Sequence, residues 1–169
     1  MPPHRVPLTV TLVVACLLLP AAAAHACAGA KAPVRSNLAR AASATHCLVN
    51  AARARSGLRR LQDASALDRA AGAHSRDMVR RGFFDHVSPG GSTPRQRARG
   101  AGFTGGSIGE TIAWSAGTAT PAAIVAMWMR SAAHRQVLLA GGFDAIGIGI
   151  ARGTPGGRGG ATFTADLGS

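Results

Sequence analysis

The hydrophobic positions in the first half of the chain predict two amphipathic helices. In residues 36–55 the apolar side chains recur at approximately helical spacing, so we expect a first helix there. A second helix is expected over about residues 63–81. Its buried face consists of Leu67, Ala71, His74 and Met78. A histidine on such a face needs a backbone carbonyl or a carboxylate as its partner, and the alternative for His74 is a ligand of a functional site.

The pattern predicts shorter helices farther along the chain. Pro94 follows Ser92 and Thr93, either of which can cap a helix, and Pro121 follows Thr120, so a helix is expected to begin at each proline. A further helical turn is expected at residues 131–139. The first of these helices contains three arginines in a stretch of five residues, namely Arg95, Arg97 and Arg99. We expect these arginines to form a solvated face.

Three segments predict strands. One contains Glu110, and the other two, residues 143–151 and 161–167, form a predicted hairpin. In the first strand of the hairpin isoleucines alternate with Gly147 and Gly149, so one face allows another element to pack closely. Helices before and between antiparallel strands predict an α+β fold. Both faces of the sheet need cover, and we therefore expect a three-layer α-β-α sandwich with a small antiparallel sheet between helices.

Glu110 is the only glutamate in the chain, and it lies on an apolar strand. Side chains alternate between the two faces of a strand, so Glu110 shares its face with Ile108, Ile112 and Trp114, which we expect to be buried. A carboxylate there loses water. It must bind hydrogen-bond donors or cations, or take up a proton, because an unpaired buried charge costs several kcal/mol.

The N-terminus predicts secretion. Residues 1–26 have a basic start, an apolar run of about fifteen residues, shorter than the roughly twenty that a membrane span needs, and an Ala-x-Ala cleavage pattern. The alternative is lipid attachment at Cys16, because the residues before it loosely resemble a lipobox. We expect an extracellular, monomeric protein with an N-terminal arm and the start of the first helix at residues 27–44, followed by one domain at residues 45–169.

Removal of the signal peptide leaves two cysteines, Cys27 and Cys47. In the oxidising environment outside the cell two cysteines are expected to pair, and the alternative is two free thiols. The predicted disulfide ties the N-terminal arm to the first helix.

The chain carries a formal net charge of +12, and Lys31 is its only lysine. Arginine binds phosphate and carboxylate groups well. For a secreted protein the expected anions are cell-envelope polymers or acidic lipid headgroups, and no nucleic acid is expected. The alternative is a solvated cationic surface without a specific partner.

Five sequence segments occur in a characteristic order and spacing. They are His-Ser-Arg-Asp-Met at 74–78, Phe-Asp-His-Val-Ser-Pro at 84–89, Gly-Glu-Thr-Ile-Ala at 109–113, Trp-Met-Arg-Ser-Ala-Ala-His-Arg at 128–135 and Ile-Gly-Ile-Gly at 146–149. Together they resemble bacterial members of the CAP superfamily, also called SCP-like or cysteine-rich secretory/antigen 5/pathogenesis-related-1 proteins. The resemblance covers about residues 45–168 and implies an α-β-α sandwich with an open cleft that holds histidines and acidic residues.

The resemblance also implies a set of cleft residues. His86 matches the first cleft histidine, Glu110 the glutamate of the Gly-Glu-Asn motif, and His134 the second histidine. We expect both histidines to be partners of Glu110, and such a set could hold Zn²⁺ or another divalent ion. The alternative is a hydrogen-bonded network in which a histidinium offsets the carboxylate. The chain departs from the family at Thr111, which replaces the usual asparagine, and at Ser131, where eukaryotic members have a second glutamate.

These residues favour binding over catalysis. A glycosidase normally needs two carboxylates beside the scissile bond, and Glu110 is the one that is well placed here. Ser88 is close to His86 in sequence, but its Ser-Pro-Gly context is more typical of a turn than of a nucleophile. We therefore expect a non-catalytic extracellular binding module for a lipid, sterol or anionic envelope polymer. The alternative is a metal-assisted, peptidase-like hydrolase, with Glu110 as the candidate catalytic residue.

Overall fold

The structure is a computed structural model that describes residues 27–157 and 159–169. The predicted signal peptide, with Cys16, lies outside the described residues. In chain order the elements are a 3-10 helix at Val34–Ser36, α1 (Leu38–Arg55), β1 (Gln62–Asp63), α2 (Ser65–Arg81), α3 (Pro94–Gly100), β2 (Ile108–Ala116), α4 (Pro121–Arg130), α5 (Ala132–Leu138), β3 (Ala145–Arg152) and β4 (Gly160–Gly168). The predicted helices and the predicted hairpin are therefore confirmed.

Local sequence signals determine where the helices begin and end. At the start of α1 the Asn37 side chain accepts a hydrogen bond from the backbone N–H of Arg40 at 2.9 Å. Thr93 caps α3, and Gln96 completes a capping box. The helix α2 ends at Gly82, whose φ of 69° is a left-handed conformation that glycine adopts easily.

The four strands form one sheet in the order β1-β3-β4-β2. The strands β3, β4 and β2 are antiparallel, as expected, whereas the two-residue strand β1 joins β3 in parallel. The sheet is therefore mixed, because a segment too short to give a periodic signal adds a parallel edge. In the register of the sheet Glu110 on β2 lies directly opposite Asp166 on β4.

One face of the sheet carries the hydrophobic core. The isoleucines of β3 and Phe163 of β4 pack there against α1 and α4. Trp128 of α4 is fully buried, lies edge-on to Phe163 at 6.4 Å, and donates a hydrogen bond from its indole nitrogen to the carbonyl of Ile112 at 3.1 Å. A buried tryptophan needs such an acceptor for its N–H, and this bond fixes α4 against β2.

The helix α2 covers the opposite face of β3 and β4. Gly147 and Gly149 lie directly against its backbone, which a side chain at either position would displace. The hydroxyl of Ser75 bonds to the carbonyl of Gly149 at 3.1 Å and to the hydroxyl of Thr164 at 2.9 Å. The expected three-layer α-β-α sandwich is therefore present, with the glycine face of β3 allowing the close approach of one helix.

The edge strand β2 is only partly covered on the α2 side. Ile112 is buried, but Trp114 is 41% exposed, so the expectation that it is buried was wrong. The reason is topological, because α2 packs over β3 and β4 and leaves the outer end of β2 open.

The N-terminal arm is attached covalently to α1. Cys27 and Cys47 form a disulfide, as predicted, with their Cα atoms 5.6 Å apart. A bridge that closes a loop of this length contributes about 3 kcal/mol to stability in the chain-entropy description.

Within residues 27–157 and 159–169 no helix is long and apolar enough to cross a membrane.

Candidate functional site

The side chain of Glu110 is buried and paired on both of its oxygens. Oε1 accepts a hydrogen bond from Nδ1 of His86 at 2.7 Å, and Oε2 accepts one from the Arg97 guanidinium at 2.5 Å. Burial acts to raise the pKa of Glu110. The hydrogen bond from His86 and the charge of Arg97 outweigh it and hold that pKa below its ordinary value. The sole glutamate is therefore an ionised group that is hydrogen-bonded to two neighbours.

Hydrogen bonds within its own loop hold His86 in place. The carboxylate of Asp85 accepts a hydrogen bond from the backbone N–H of Val87 at 2.9 Å. The N–H of Ser88 donates to the carbonyl of Ser92 at 3.0 Å, so Ser88 is a turn residue, as expected. The His86 side chain is 48% exposed, and its hydrogen bond to Glu110 raises the pKa of the ring. His86 therefore presents an exposed imidazole edge that takes up a proton more readily than an ordinary histidine.

Arg97 is a site residue, although its spacing with Arg95 and Arg99 predicted a solvated face. Its side chain is only 9% exposed, bonds to Glu110, and donates to the carbonyl of Ser92 at 2.7 Å. The helical period separates Arg97 from the other two arginines, and this is the signal that was missed. Residues 95 and 99 share one side of α3, and residue 97 lies on the opposite side, toward β2.

His74 of α2 lies beneath Glu110 and is fully buried. Its Nε2 donates to the carbonyl of Asp85 at 2.9 Å, which is the kind of backbone partner that a buried histidine was expected to have. The same nitrogen lies 3.9 Å from Oε1 of Glu110. Burial lowers the pKa of His74. The ring is therefore neutral and supports both the His86 loop and the floor of the site.

Asp166 is the second carboxyl group of the site, and no local pattern in the sequence pointed to it. It lies opposite Glu110 on β4, is completely buried, and receives no hydrogen bond from an N–H or O–H donor of the described residues. Burial, together with the charge of Glu110 and a hydrogen bond to it, raises the pKa of Asp166 well above its ordinary value. Two such carboxyl groups can share a hydrogen bond only if one is protonated, and Asp166 is the protonated partner.

Replacement of Asp166 by asparagine is therefore expected to stabilise the protein at neutral pH. Because the pKa of Asp166 is raised in the folded state, the folded protein binds its proton more tightly than the unfolded chain does. The free energy of unfolding then falls as pH rises above about 3.9, with a slope of up to about 1.4 kcal/mol per pH unit. Asparagine keeps the hydrogen-bond donor and removes this loss. Denaturant unfolding of both proteins between about pH 3.5 and 7.5 measures the difference.

The control is Asp144→Asn, which makes the same change at an exposed position. We expect the plots of unfolding free energy against pH for wild type and Asp166→Asn to converge at acidic pH. The plot for the control should follow that of wild type. Equal destabilisation by Asp166→Asn at every pH would show instead that Asp166 is ionised and needed as a counter-charge.

His134 lies in the first turn of α5 and makes no hydrogen bond to Glu110. The prediction that both histidines pair with Glu110 thus holds for His86 and not for His134, because Arg97 occupies the second oxygen. Burial, with a smaller effect from the charge of His86, lowers the pKa of His134, so the ring is neutral. Its Nδ1 has no hydrogen-bond partner in the described part of the chain.

The arrangement does not fit the predicted metal site. Among the residues that the structure describes, no three histidine, cysteine, aspartate or glutamate side chains come together in a way that could hold a metal ion. Both oxygens of Glu110 already accept hydrogen bonds, and Nδ1 of His86 is used for one of them. The geometry matches the alternative of a hydrogen-bonded network, in which the charged partners of Glu110 are His86 and Arg97.

Exposed apolar side chains lie beside this network. Phe84 and Val87 flank His86 on the same loop and are 44% and 43% exposed. Trp114 lies on the same face of β2 as Glu110, about 13 Å farther along the strand. Large exposed apolar groups next to a charged one are typical of a site that binds an amphiphilic ligand.

Comparison with known proteins identifies a family. The sequence model described as the cysteine-rich secretory protein family, CAP, matches residues 47–166. The chain is 38% identical over 102 residues to the uncharacterized protein YkwD of Bacillus subtilis (strain 168). That alignment covers 60% of this chain and 39% of YkwD, so the chain spans about two fifths of the length of this relative.

Solved structures show the same fold. An extracellular protein containing a SCP domain from Bacillus anthracis str. Ames has a TM-score of 0.64 and 27% identity, with coverage of 73% of this chain and 38% of that one. An outer surface protein from Borrelia burgdorferi, at 19% identity, has a TM-score of 0.65 with coverage of 73% and 88%. A cysteine-rich secretory protein from Staphylococcus aureus, at 18% identity, has a TM-score of 0.63 with coverage of 81% and 40%. The family model matches well over half of the chain, and the protein therefore belongs to the cysteine-rich secretory protein, or CAP, family.

Proposed function

We propose that this protein is a secreted, monomeric binding module that recognises a lipid or another envelope ligand in the cleft beside His86, without catalysing a reaction. The observation that carries the proposal is the state of Glu110. Its side chain is 2% exposed, and both of its oxygens are hydrogen-bonded. A general acid or base must reach the substrate proton, and Glu110 is instead used to hold His86 and Arg97 in place.

The charges of the network support an amphiphilic or anionic ligand. His86 and Arg97 are cationic partners of the single ionised carboxylate Glu110, and Asp166 carries a proton, so the group has an excess of positive charge. The exposed edge of His86 can donate a hydrogen bond to a polar headgroup. Phe84, Val87 and Trp114 can cover an apolar portion of the same molecule.

The metal-assisted hydrolase has less support. It requires Glu110 and two histidines arranged around an open coordination position, and the described residues do not provide that arrangement. An exposed histidine beside an apolar surface is sufficient for binding.

Fluorescence of Trp114 tests the proposal directly. Trp114 is exposed and Trp128 is fully buried, so a change in emission on addition of lipid reports on the cleft. We expect phosphatidylcholine vesicles to shift the emission of wild type to shorter wavelength. The variant Phe84→Ser/Val87→Ser should bind at least about tenfold more weakly, because two apolar side chains no longer leave water. Mass spectrometry of protein purified from culture medium identifies a co-purified lipid.

The matched control is Met127→Ser, because Met127 is similarly exposed but lies on α4 in the opposite layer. It should behave as wild type. No change in Trp114 emission with any lipid would contradict the proposal. Peptide hydrolysis that disappears in a folded Glu110→Gln variant would replace the proposal with the hydrolase.

A further inference from the structure

A second cavity lies between α2, α3 and the turn at residues 88–92, and its volume is about 650 Å³. His86, Glu110 and His134 do not line it. Of the described residues that do line it, four are arginines and one, Asp77, is acidic. The arginines are Arg76, Arg80, Arg81 and Arg97. Cavities of this size commonly hold small ligands, and the charge of this one favours an anion.

We propose that this cavity binds a phosphate group, either free or as part of a phosphate ester. The inference extends the proposed envelope-binding function to a second site. It does not need a ligand in the cleft.

The cationic groups of the cavity come from two elements and approach it from different sides. Asp77 accepts hydrogen bonds from Arg80 at 2.6 Å and from Arg81 at 3.4 Å, so one carboxylate orients two guanidinium groups. Arg76 makes no hydrogen bond or ion pair within the described residues, and its guanidinium lies over the backbone of Gly72. Arginines from α2 and α3 together suit a tetrahedral anion, which accepts hydrogen bonds in several directions.

Arg97, from α3, is a largely buried arginine that also lines the cavity. Two of its guanidinium nitrogens bond to Glu110 and to the carbonyl of Ser92, whereas its Nε–H has no partner among the described residues. The hydroxyls of Ser88 and Ser92, which also line the cavity, likewise make no hydrogen bond within the part of the chain described. The two hydrogen bonds of Arg97 therefore fix its guanidinium beside the cavity, where its positive charge favours an anion.

The test is a calorimetric titration with inorganic phosphate. The protein is in phosphate-free buffer of low ionic strength, because salt screens these contacts. We expect saturable binding to wild type. The variant Arg76→Gln/Arg81→Gln should bind about tenfold more weakly or worse, since it removes two charged donors. The single variant Arg76→Gln, which breaks no ion pair, should show a smaller loss in the same direction. Thermal unfolding verifies that each variant is folded.

The matched control is Arg55→Gln/Arg60→Gln, which lowers the net charge equally at two exposed arginines outside the cavity. It should bind phosphate as wild type does. Equal loss in both double variants would overturn the proposal, because it would show attraction by net charge alone. The absence of saturable phosphate binding by wild type would overturn it as well.

Two further probes distinguish the source of the phosphate. Binding of glycerol 3-phosphate that depends on Arg76 and Arg81 would point to a soluble ester or a polymer of phosphate esters. Binding to phosphatidylglycerol vesicles with the same dependence would point to a lipid headgroup. Failure of the cleft proposal leaves this test intact, because neither inorganic phosphate nor glycerol 3-phosphate requires Phe84, Val87 or Trp114.

Discussion

Replacement of Glu110 by glutamine is expected to lower the free energy of unfolding by about 3 kcal/mol or more, because it leaves the buried Arg97 guanidinium without its counter-charge. Glutamine has nearly the same shape, so the loss measures charge and not volume. A double-mutant cycle with Arg97→Gln checks the cause. The double variant should lose clearly less than the sum of the two single losses, since removal of both partners leaves no unpaired buried charge.

The matched control for this prediction is Asp77→Asn. Asp77 also pairs with two arginines, but their side chains are 75% and 42% exposed. Exposed ion pairs contribute little, so the control should cost no more than about 1 kcal/mol. Equal costs for Glu110→Gln and Asp77→Asn would show that the buried network stabilises the fold no more than a surface ion pair does.

The same variant should also change the pH dependence of stability. Glu110 raises the pKa of His86, so the folded protein holds the His86 proton more tightly than the unfolded chain does. The resulting stabilisation is fully present below the ordinary histidine pKa of about 6.5 and is lost as pH rises through the raised value. In Glu110→Gln this pH dependence should largely disappear.

The need for a partner of Glu110 followed from local sequence, but the identity of the partners did not. Alternation along a strand placed a lone carboxylate on an apolar face, which is a local property of the chain. The resemblance to the CAP superfamily pointed to His86. Arg97 was missed because three arginines at spacing two suggest a surface, although the helical period separates the middle one from the others.

Asp166 could not be found by local reasoning. On β4 it follows Thr162 and Thr164 at alternating positions, which marks a polar face and no more. Its significance comes from register, since β2 and β4 are distant in sequence and their alignment decides which residue faces Glu110. A shift of one residue would place Asp166 on the core face and turn Phe163 away from it, so this site depends on tertiary structure.

The alternation of isoleucine and glycine on β3 predicted local packing correctly, because it depends only on this strand and the element that packs against it. The sequence predicted that some element packs closely on the glycine face, and the structure identifies that element as α2. The helix carries His74 into the floor of the site and Arg76, Arg80 and Arg81 to the second cavity. Close packing on glycine therefore positions both candidate sites.

Replacement of Gly149 by alanine is accordingly expected to cost at least about 3 kcal/mol of unfolding free energy, a large part of the stability of a small domain. A Cβ at this position would collide with the backbone of Ala71 and Gly72, and a backbone cannot change rotamer to make room. The helix α2 would have to move away from β3, and the Ser75 hydroxyl would lose its bond to the Gly149 carbonyl. Denaturant unfolding gives the free-energy change, and a shift of the His74 ring resonances by NMR reports the displacement of α2.

Gly142→Ala is the control, because a Cβ there meets nothing within 4 Å, and it should change stability by no more than about 0.5 kcal/mol. Near-wild-type stability of Gly149→Ala with unchanged His74 resonances would contradict the close packing of α2 on the sheet.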